Sequence, residues 1–318
     1  MPFDPKKFIP DAVEYITDTV KNEKAILALS GGVDSFTVAG LASQAIPDQL
    51  FVIFVDTGLM RENEAEKVKE AADKTGVKLK IIEAQDRFFR ELKGVTDPEE
   101  KRRIIGKLFI DIFEEEAKKD EVTFLMQGTI APDWIESGGQ GRDKIKSHHN
   151  VAALPSGMKL KLCEPLRELY KHEVRATAQE LGFPEHIYSR QPFPGPALAV
   201  RIVGEVTPEK VKIVQKASAI AEEELEKAVK EEKMEMPWQY FAALLSAKTV
   251  GVRGDERAYQ YTVVIRAVRS LDGMTANFSN IPHDVLQKIS TRITNEIMDV
   301  GRVLYDITNK PPATIELE

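Results

Sequence analysis

The chain has 318 residues, of which 42% are apolar and 30% charged, and 44 Lys plus Arg against 51 Asp plus Glu leave a net charge of −7. These values are ordinary for a globular chain of one large or two medium domains. An acidic balance argues against bulk electrostatic attachment to nucleic acid. The one cysteine, Cys163, excludes an internal disulfide and a cysteine-rich metal site. The N-terminus MPFDPKKFIPDAVEY places charges and prolines where a signal peptide needs an unbroken apolar core. No apolar run approaches the ~18–20 residues needed to span a bilayer. The expected setting is cytoplasmic, with neither membrane nor nucleic acid as partner.

In chain order, residues 25–30 (AILALS), 50–55 (LFVIFV), 77–82 (VKLKII) and 122–126 (VTFLM) are short, β-branched and largely apolar. Such runs suit strands buried on both faces of a parallel sheet. Helical patterns lie between them. Residues 35–46 follow the first strand, and 62–75 are mostly strong helix formers stopped by Gly76. Residues 98–119 begin with Pro98 after Asp97, an N-cap and N1 pairing. The alternation predicts βαβ units and a doubly wound α/β sheet.

From 131 to 160 the chain is rich in Gly, polar and basic residues without a period, which predicts a functional lid or an insertion. Cys163 lies in an alternating, strand-like stretch and is expected in the core. Residues 165–181 return to a helical pattern ending at Gly182. RQPFPGP at 190–196 punctuates the chain with three prolines and a glycine, and predicts a boundary. Beyond it Thr207 and Pro208 open a long charged helix to about residue 230. Strands near 241–252 and 261–269, a helix near 284–299 and a last strand RVLYDIT complete a smaller α+β domain. The expected division is 1–190 and 191–318.

Ser30-Gly31-Gly32-Val33-Asp34-Ser35 sits where the first strand hands over to a helix. Glycines let backbone N–H groups converge on phosphate oxygens, and the helix end adds partial positive charge. Ser30 and Ser35 can donate to the same oxygens. Asp34 would repel a bare phosphate, so it makes better sense as a ligand for Mg²⁺ riding on one. The loop is neither a Walker A motif nor a G-x-G-x-x-G fingerprint.

SGGVDS resembles the pyrophosphate loop of the ATP pyrophosphatases, whose members cleave ATP to AMP and pyrophosphate while adenylating a substrate. VDTGLMRENE (55–64), QGTIAPDWIES (127–137), KIKSHHNVAALP (144–155), EPLRELYKHEVR (164–175), RQPFPGPALAVRI (190–202), IPHDVLQKISTRITNE (281–296) and the ending YDITNKPPATIELE resemble the GMP synthetase family. The resemblance covers nearly the whole chain and implies an adenine nucleotide alpha-hydrolase-like fold (PP-loop). It also implies ATP-dependent amination of XMP to GMP through an adenyl-XMP intermediate. The chain looks like the separate synthetase subunit of the split, archaeal-type enzyme, a C–N ligase that takes ammonia from a glutaminase subunit. Its smaller domain would bind XMP and mediate homodimerisation.

The resemblance assigns ATP and pyrophosphate to Ser30, Gly31, Gly32, Val33, Asp34, Ser35, Val55, Asp56, Gly58 and Gly128, with Asp34 as metal ligand. It assigns XMP to Arg61, Arg201, Lys310, Ile315 and Glu316, and to Arg253 at a position that varies in the family. Asp133 and Glu136, three residues apart, would share one face of a helical turn. With Lys146, His148, His149 and Lys171 they form the expected catalytic set, since attack at the α-phosphate needs its charge neutralised. Alternative readings are an ammonia-dependent NAD synthetase, which should lack RQPFPGP and the KPPATIE ending, and a tRNA-modifying enzyme. The latter would want reactive cysteines and a basic face. A nucleotide-binding regulatory module without turnover would not need the lid lysines.

Overall fold

The computed structural model describes residues 3–131, 160–270 and 273–318, apart from the side chain of Arg253. The expected lid near 131–160 therefore lies almost wholly outside the described residues. The chain forms two compact units, one made of Met1–Asp56, Asn63–Ala84 and Gly106–Arg190, the other of Thr57–Glu62, Gln85–Ile105 and Gln191–Glu318.

In the first unit a parallel sheet carries strands β1 (Ala25–Ala28), β2 (Leu50–Asp56), β3 (Leu79–Glu83), β4 (Phe124–Met126) and β5 (Lys161–Cys163) in the order β3-β2-β1-β4-β5. The chain moves outward from β1 through β2 to β3, then returns to the other side of β1 with β4. The junction between β1 and β4 is thus the topological switch point, where open α/β sheets bind ligands beyond the strand ends. The helices are α1 (Pro5–Val20), α2 (Val33–Ala45), α3 (Glu64–Lys74), α4 (Gln85–Leu92, in the second unit), α5 (Pro98–Lys119, assigned to the second unit up to Ile105), α6 (Lys171–Glu180) and α7 (Glu185–Tyr188).

Helix α2 buries Val33, Phe36, Val38, Ala39, Leu41 and Ala42, so it lies within the packed layer rather than on its surface. A side chain at Gly40 would put its Cβ 2.9 Å from the Phe183 ring, which also meets Phe36 edge-on at 5.4 Å. The helix expected over 165–181 is shorter. Residues 165–169 form turns, with Leu169 N–H donating to the Leu166 carbonyl, and α6 starts at Lys171. Glu173 sets that start, its carboxylate accepting from Tyr170 N–H at 2.8 Å. Helix α1, with Pro10 in its interior, is not evident from the residue pattern.

In the second unit α8 (Pro208–Lys230) and α9 (His283–Glu296) pack on a sheet of β6 (Gln239–Arg253), β7 (Glu256–Arg269), β8 (Asn277–Phe278) and β9 (Val300–Asp306). Thr207 caps α8, its hydroxyl accepting from Lys210 N–H. Strands β6 and β7 pair antiparallel as a long hairpin whose turn residues Gly254 and Asp255 both have positive φ. That geometry follows the right-handed twist of the strands. Strand β9 returns parallel to β7. Among the described residues no helix is long and apolar enough to cross a membrane.

Candidate functional site

The phosphate loop leaves β1 at the switch point. Gly31 takes a left-handed φ of +79°, and Gly32 is the N-cap of α2 without a side-chain cap. The first amides of α2 are therefore open to an external acceptor. Ser35 donates to the Gly32 carbonyl at 2.9 Å and accepts from Ser30 N–H at 3.2 Å, and the Ser30 and Ser35 hydroxyls lie 3.2 Å apart. With Gly32 N–H donating to Ser30 Oγ at 3.4 Å, these bonds tie the two ends of the loop together. Val33 is buried beneath it.

Asp34, in the first turn of α2, accepts from Lys171 Nζ through Oδ2 at 2.6 Å. Its other oxygen, Oδ1, is buried and has no hydrogen-bond partner among the described residues. A buried, unpaired carboxylate oxygen is costly unless a donor or cation arrives. Gly128, two residues past β4, packs on Asp34 so closely that a Cβ there would lie 3.0 Å from the aspartate's own Cβ. The structure thus brings together Ser30 to Ser35, Gly128 and Lys171, a set scattered over the sequence. Val55 is buried at the end of β2, and the Asp56 carbonyl accepts from Ala84 N–H. Helix α3 takes Asn63 as its N-cap. Asp133, Glu136, Lys146, His148 and His149 lie outside the described residues.

In the second unit a Cβ on Gly58 would meet the Phe89 ring at 2.7 Å. Arg61 donates to the Gln191 carbonyl and stacks on the Phe193 ring at 4.2 Å from the centroid. Arg201 approaches Phe193 at 5.1 Å and Phe241 at 4.0 Å. It is 1% exposed, and its guanidinium bonds both carboxylate oxygens of Glu316 at 2.9 Å, while Gln239 donates to one of them. Arg201 and Glu316 are therefore brought together as a bidentate pair. Lys310 instead reaches the Gly273 carbonyl at 2.7 Å, and its backbone pairs with Ala276. Ile315 offers its carbonyl to Arg266. Arg253 closes β6 opposite Glu256.

Two buried cations that sequence reasoning passed over hold the segment 306–318. Arg266, wholly buried, donates to the Thr308 and Thr314 carbonyls at 2.5 and 3.1 Å and lies 3.2 Å from the Asp306 carboxylate. Lys101, also wholly buried, donates to the Ala199 and Ile202 carbonyls and to the Glu318 carboxylate. Glu318 in turn accepts from Gly204 N–H at 2.9 Å. Burial pulls the Lys101 ammonium below the usual lysine range, and Glu318 opposes that pull.

Cys163 is fully buried on β5, and burial pushes its thiol up to about 12. The thiolate needed for alkylation is then scarce. Native protein is expected to resist iodoacetamide at mildly alkaline pH and to react once unfolded, as intact-mass measurement will tell. Rapid labelling of the native chain would place the thiol elsewhere.

Residues 6–184 match the PP-loop domain family, and residues 223–317 match the GMP synthase C terminal domain. A subunit of the glutamine-hydrolyzing GMP synthase of Thermococcus kodakarensis is 62% identical over 314 residues, covering 98% of this chain and 99% of its own. The subunit of the same name from Methanocaldococcus jannaschii is 59% identical over 317 residues, 99% of this chain and the whole of its own. NMN synthetase from Francisella tularensis superposes with a TM-score of 0.48 at 16% identity, over 66% of this chain and 84% of that one. A phosphate loop at the switch point of a PP-loop sheet, followed by a GMP synthase C-terminal domain, agrees with relatives alike from end to end, and the chain belongs to the GMP synthase family.

Proposed function

We propose that this chain performs the ATP-dependent step of GMP formation, adenylating XMP and aminating the adenyl-XMP intermediate to give GMP, AMP and pyrophosphate. The observation that carries the reading is the loop Ser30–Ser35. It is an open helix N-terminus with a left-handed glycine, and beside it stands a buried carboxylate oxygen in need of a cation.

The residues fit a Mg²⁺ ion held by Asp34 together with phosphate oxygens of ATP, because Mg²⁺ commonly takes one or two carboxylates and shares the rest of its shell with substrate and water. When bound, the ion neutralises charge on the phosphates during displacement. The chain's own contribution is positional. Loop amides and the Ser30 and Ser35 hydroxyls receive the leaving pyrophosphate, and Lys171, now paired with Asp34, is placed to turn to a phosphate oxygen.

In the second unit Arg61, Lys310, Ile315 and Glu316 form the proposed XMP contacts, with Arg201 orienting Glu316. The relatives are each named as one subunit of a glutamine-hydrolyzing enzyme, which supports a separate partner that releases ammonia from glutamine. The exposed apolar side chains Val250, Val252 and Tyr259 on the outer end of the β6–β7 hairpin support a second copy of this chain as neighbour. A division into a synthetase domain over 1–190 and a dimerisation and XMP domain over 191–318 suits these roles, in the cytoplasm. An ammonia-dependent NAD synthetase would account for the loop and leave the anchored C-terminal segment without a purpose.

Purified protein given XMP, MgATP and free ammonium at alkaline pH is expected to yield GMP, AMP and pyrophosphate in equal amounts, followed by chromatography. Glutamine alone should not replace ammonium. Formation of ADP, or ATP cleavage indifferent to XMP, would overturn the reading.

A further inference from the structure

The peptide between Gly31 and Gly32 is the softest link of the phosphate loop, since neither flanking residue has a Cβ to resist its rotation. Its orientation matters for an anion. In a trans peptide the C=O and N–H point opposite ways, so one orientation offers the phosphates a donor and the other a partly negative oxygen. The carbonyl of Gly31 accepts from Arg190 Nη1 at 2.8 Å, while Arg190 Nη2 bonds the Glu64 carboxylate. Glu64 is 3% exposed and opens α3, where the helix end favours a carboxylate. Arg190 is 14% exposed at its side chain. The pair fills the space behind the loop, and a Cβ on Gly31 would fall 2.6 Å from Glu64 Oε1.

We propose that Arg190, held by Glu64, is a positioning residue that fixes the Gly31–Gly32 peptide so that its N–H, which here donates to Ser30 Oγ at 3.4 Å, stays on the donor side of the loop and turns to the phosphates when they bind. The planar fork of arginine suits the task, because one arm takes the carbonyl and the other the carboxylate at a fixed angle. The proposal rests on the reading of Ser30–Ser35 as a pyrophosphate cradle and adds the device that keeps the cradle facing the right way. Neither Arg190 nor Glu64 touches the reacting atoms.

Titration calorimetry with magnesium pyrophosphate tests it without requiring turnover. Arg190→Met is expected to weaken pyrophosphate binding by about tenfold or more, the usual scale for losing an outer support of a binding group. The KM for MgATP should rise in parallel. Arg190→Lys, which keeps a charge beside Glu64 but lacks the fork, should lose less affinity than Arg190→Met. A merely structural role would lower the melting temperature and leave the affinity of the folded protein alone. Folded Arg190→Met with wild-type pyrophosphate affinity and MgATP KM would overturn the proposal. If that variant does not fold, Arg190→Lys and Glu64→Gln decide, and wild-type affinity in both has the same consequence. Wild-type protein that forms GMP yet ignores pyrophosphate rejects the cradle, whereas pyrophosphate binding without GMP formation rejects only the assigned reaction.

Discussion

Asp34→Ala is expected to lower pyrophosphate release from MgATP by on the order of a thousandfold, the scale on which loss of one preorganised electrostatic group at a reacting centre is felt. The fold should survive. Asp34 sits in the first turn of α2, its Oδ1 is unpartnered among the described residues, and its Oδ2 is held by Lys171. Removing the carboxylate removes a buried unpaired acceptor, so stability should change little or rise. Asp34→Asn separates the two effects, because it preserves shape and loses charge. Added Mg²⁺ should restore neither variant fully. Pyrophosphate release is read by a coupled phosphate assay and folding by calorimetry. A folded Asp34→Ala with more than a tenth of wild-type rate would remove Asp34 from the metal's ligands.

Lys101→Met carries the largest expected cost in stability. The ammonium is wholly buried among the Ala199 and Ile202 carbonyls and the Glu318 carboxylate, and the Glu318 side chain is 7% exposed. Breaking a buried pair by removing one partner typically costs about 3–5 kcal/mol, because the other charge is left stranded. Lys101→Met/Glu318→Met should recover part of that loss, since no charge is left stranded, although the Ala199 and Ile202 carbonyls and Gly204 N–H lose these partners. Differential scanning calorimetry will show whether the transition falls for the single variant and returns in part for the double. The single variant should also raise the KM for XMP, as Glu318 lies two residues from Glu316. An unmoved transition would mean that Lys101 is not buried in solution.

The three central strands of the parallel sheet are legible in the sequence because they are short apolar runs, a pattern set by burial on both faces. The phosphate loop is legible because its geometry demands particular residues in a fixed order. Lys101 is not. It sits in PEEKRR, which reads as a solvated helix start, and only the fold reveals that one of those cations points inward beside Arg102 and Arg103, which pair with Glu99 and Glu100. Arg266 is hidden similarly in the strand TVVIRAVR, where an apolar run buried on both faces gives no sign of what an interior charge would bind. The helical pattern over 165–181 overreaches because turn residues 165–169 share the helical composition, and the Glu173 bond that starts α6 depends on backbone position. Arg190 and Glu64 are 126 residues apart, so nothing local could pair them.

The segment 306–318 hangs on Lys101, Arg201 and Arg266, each no more than 1% exposed, rather than on apolar contacts alone. Water's hold on charged groups weakens as temperature rises, whereas apolar stabilisation per unit area levels off. Burying these three cations therefore becomes less costly in hot solvent. Fastening the segment through buried charge thus costs less as the solvent warms, while its apolar contacts gain nothing further.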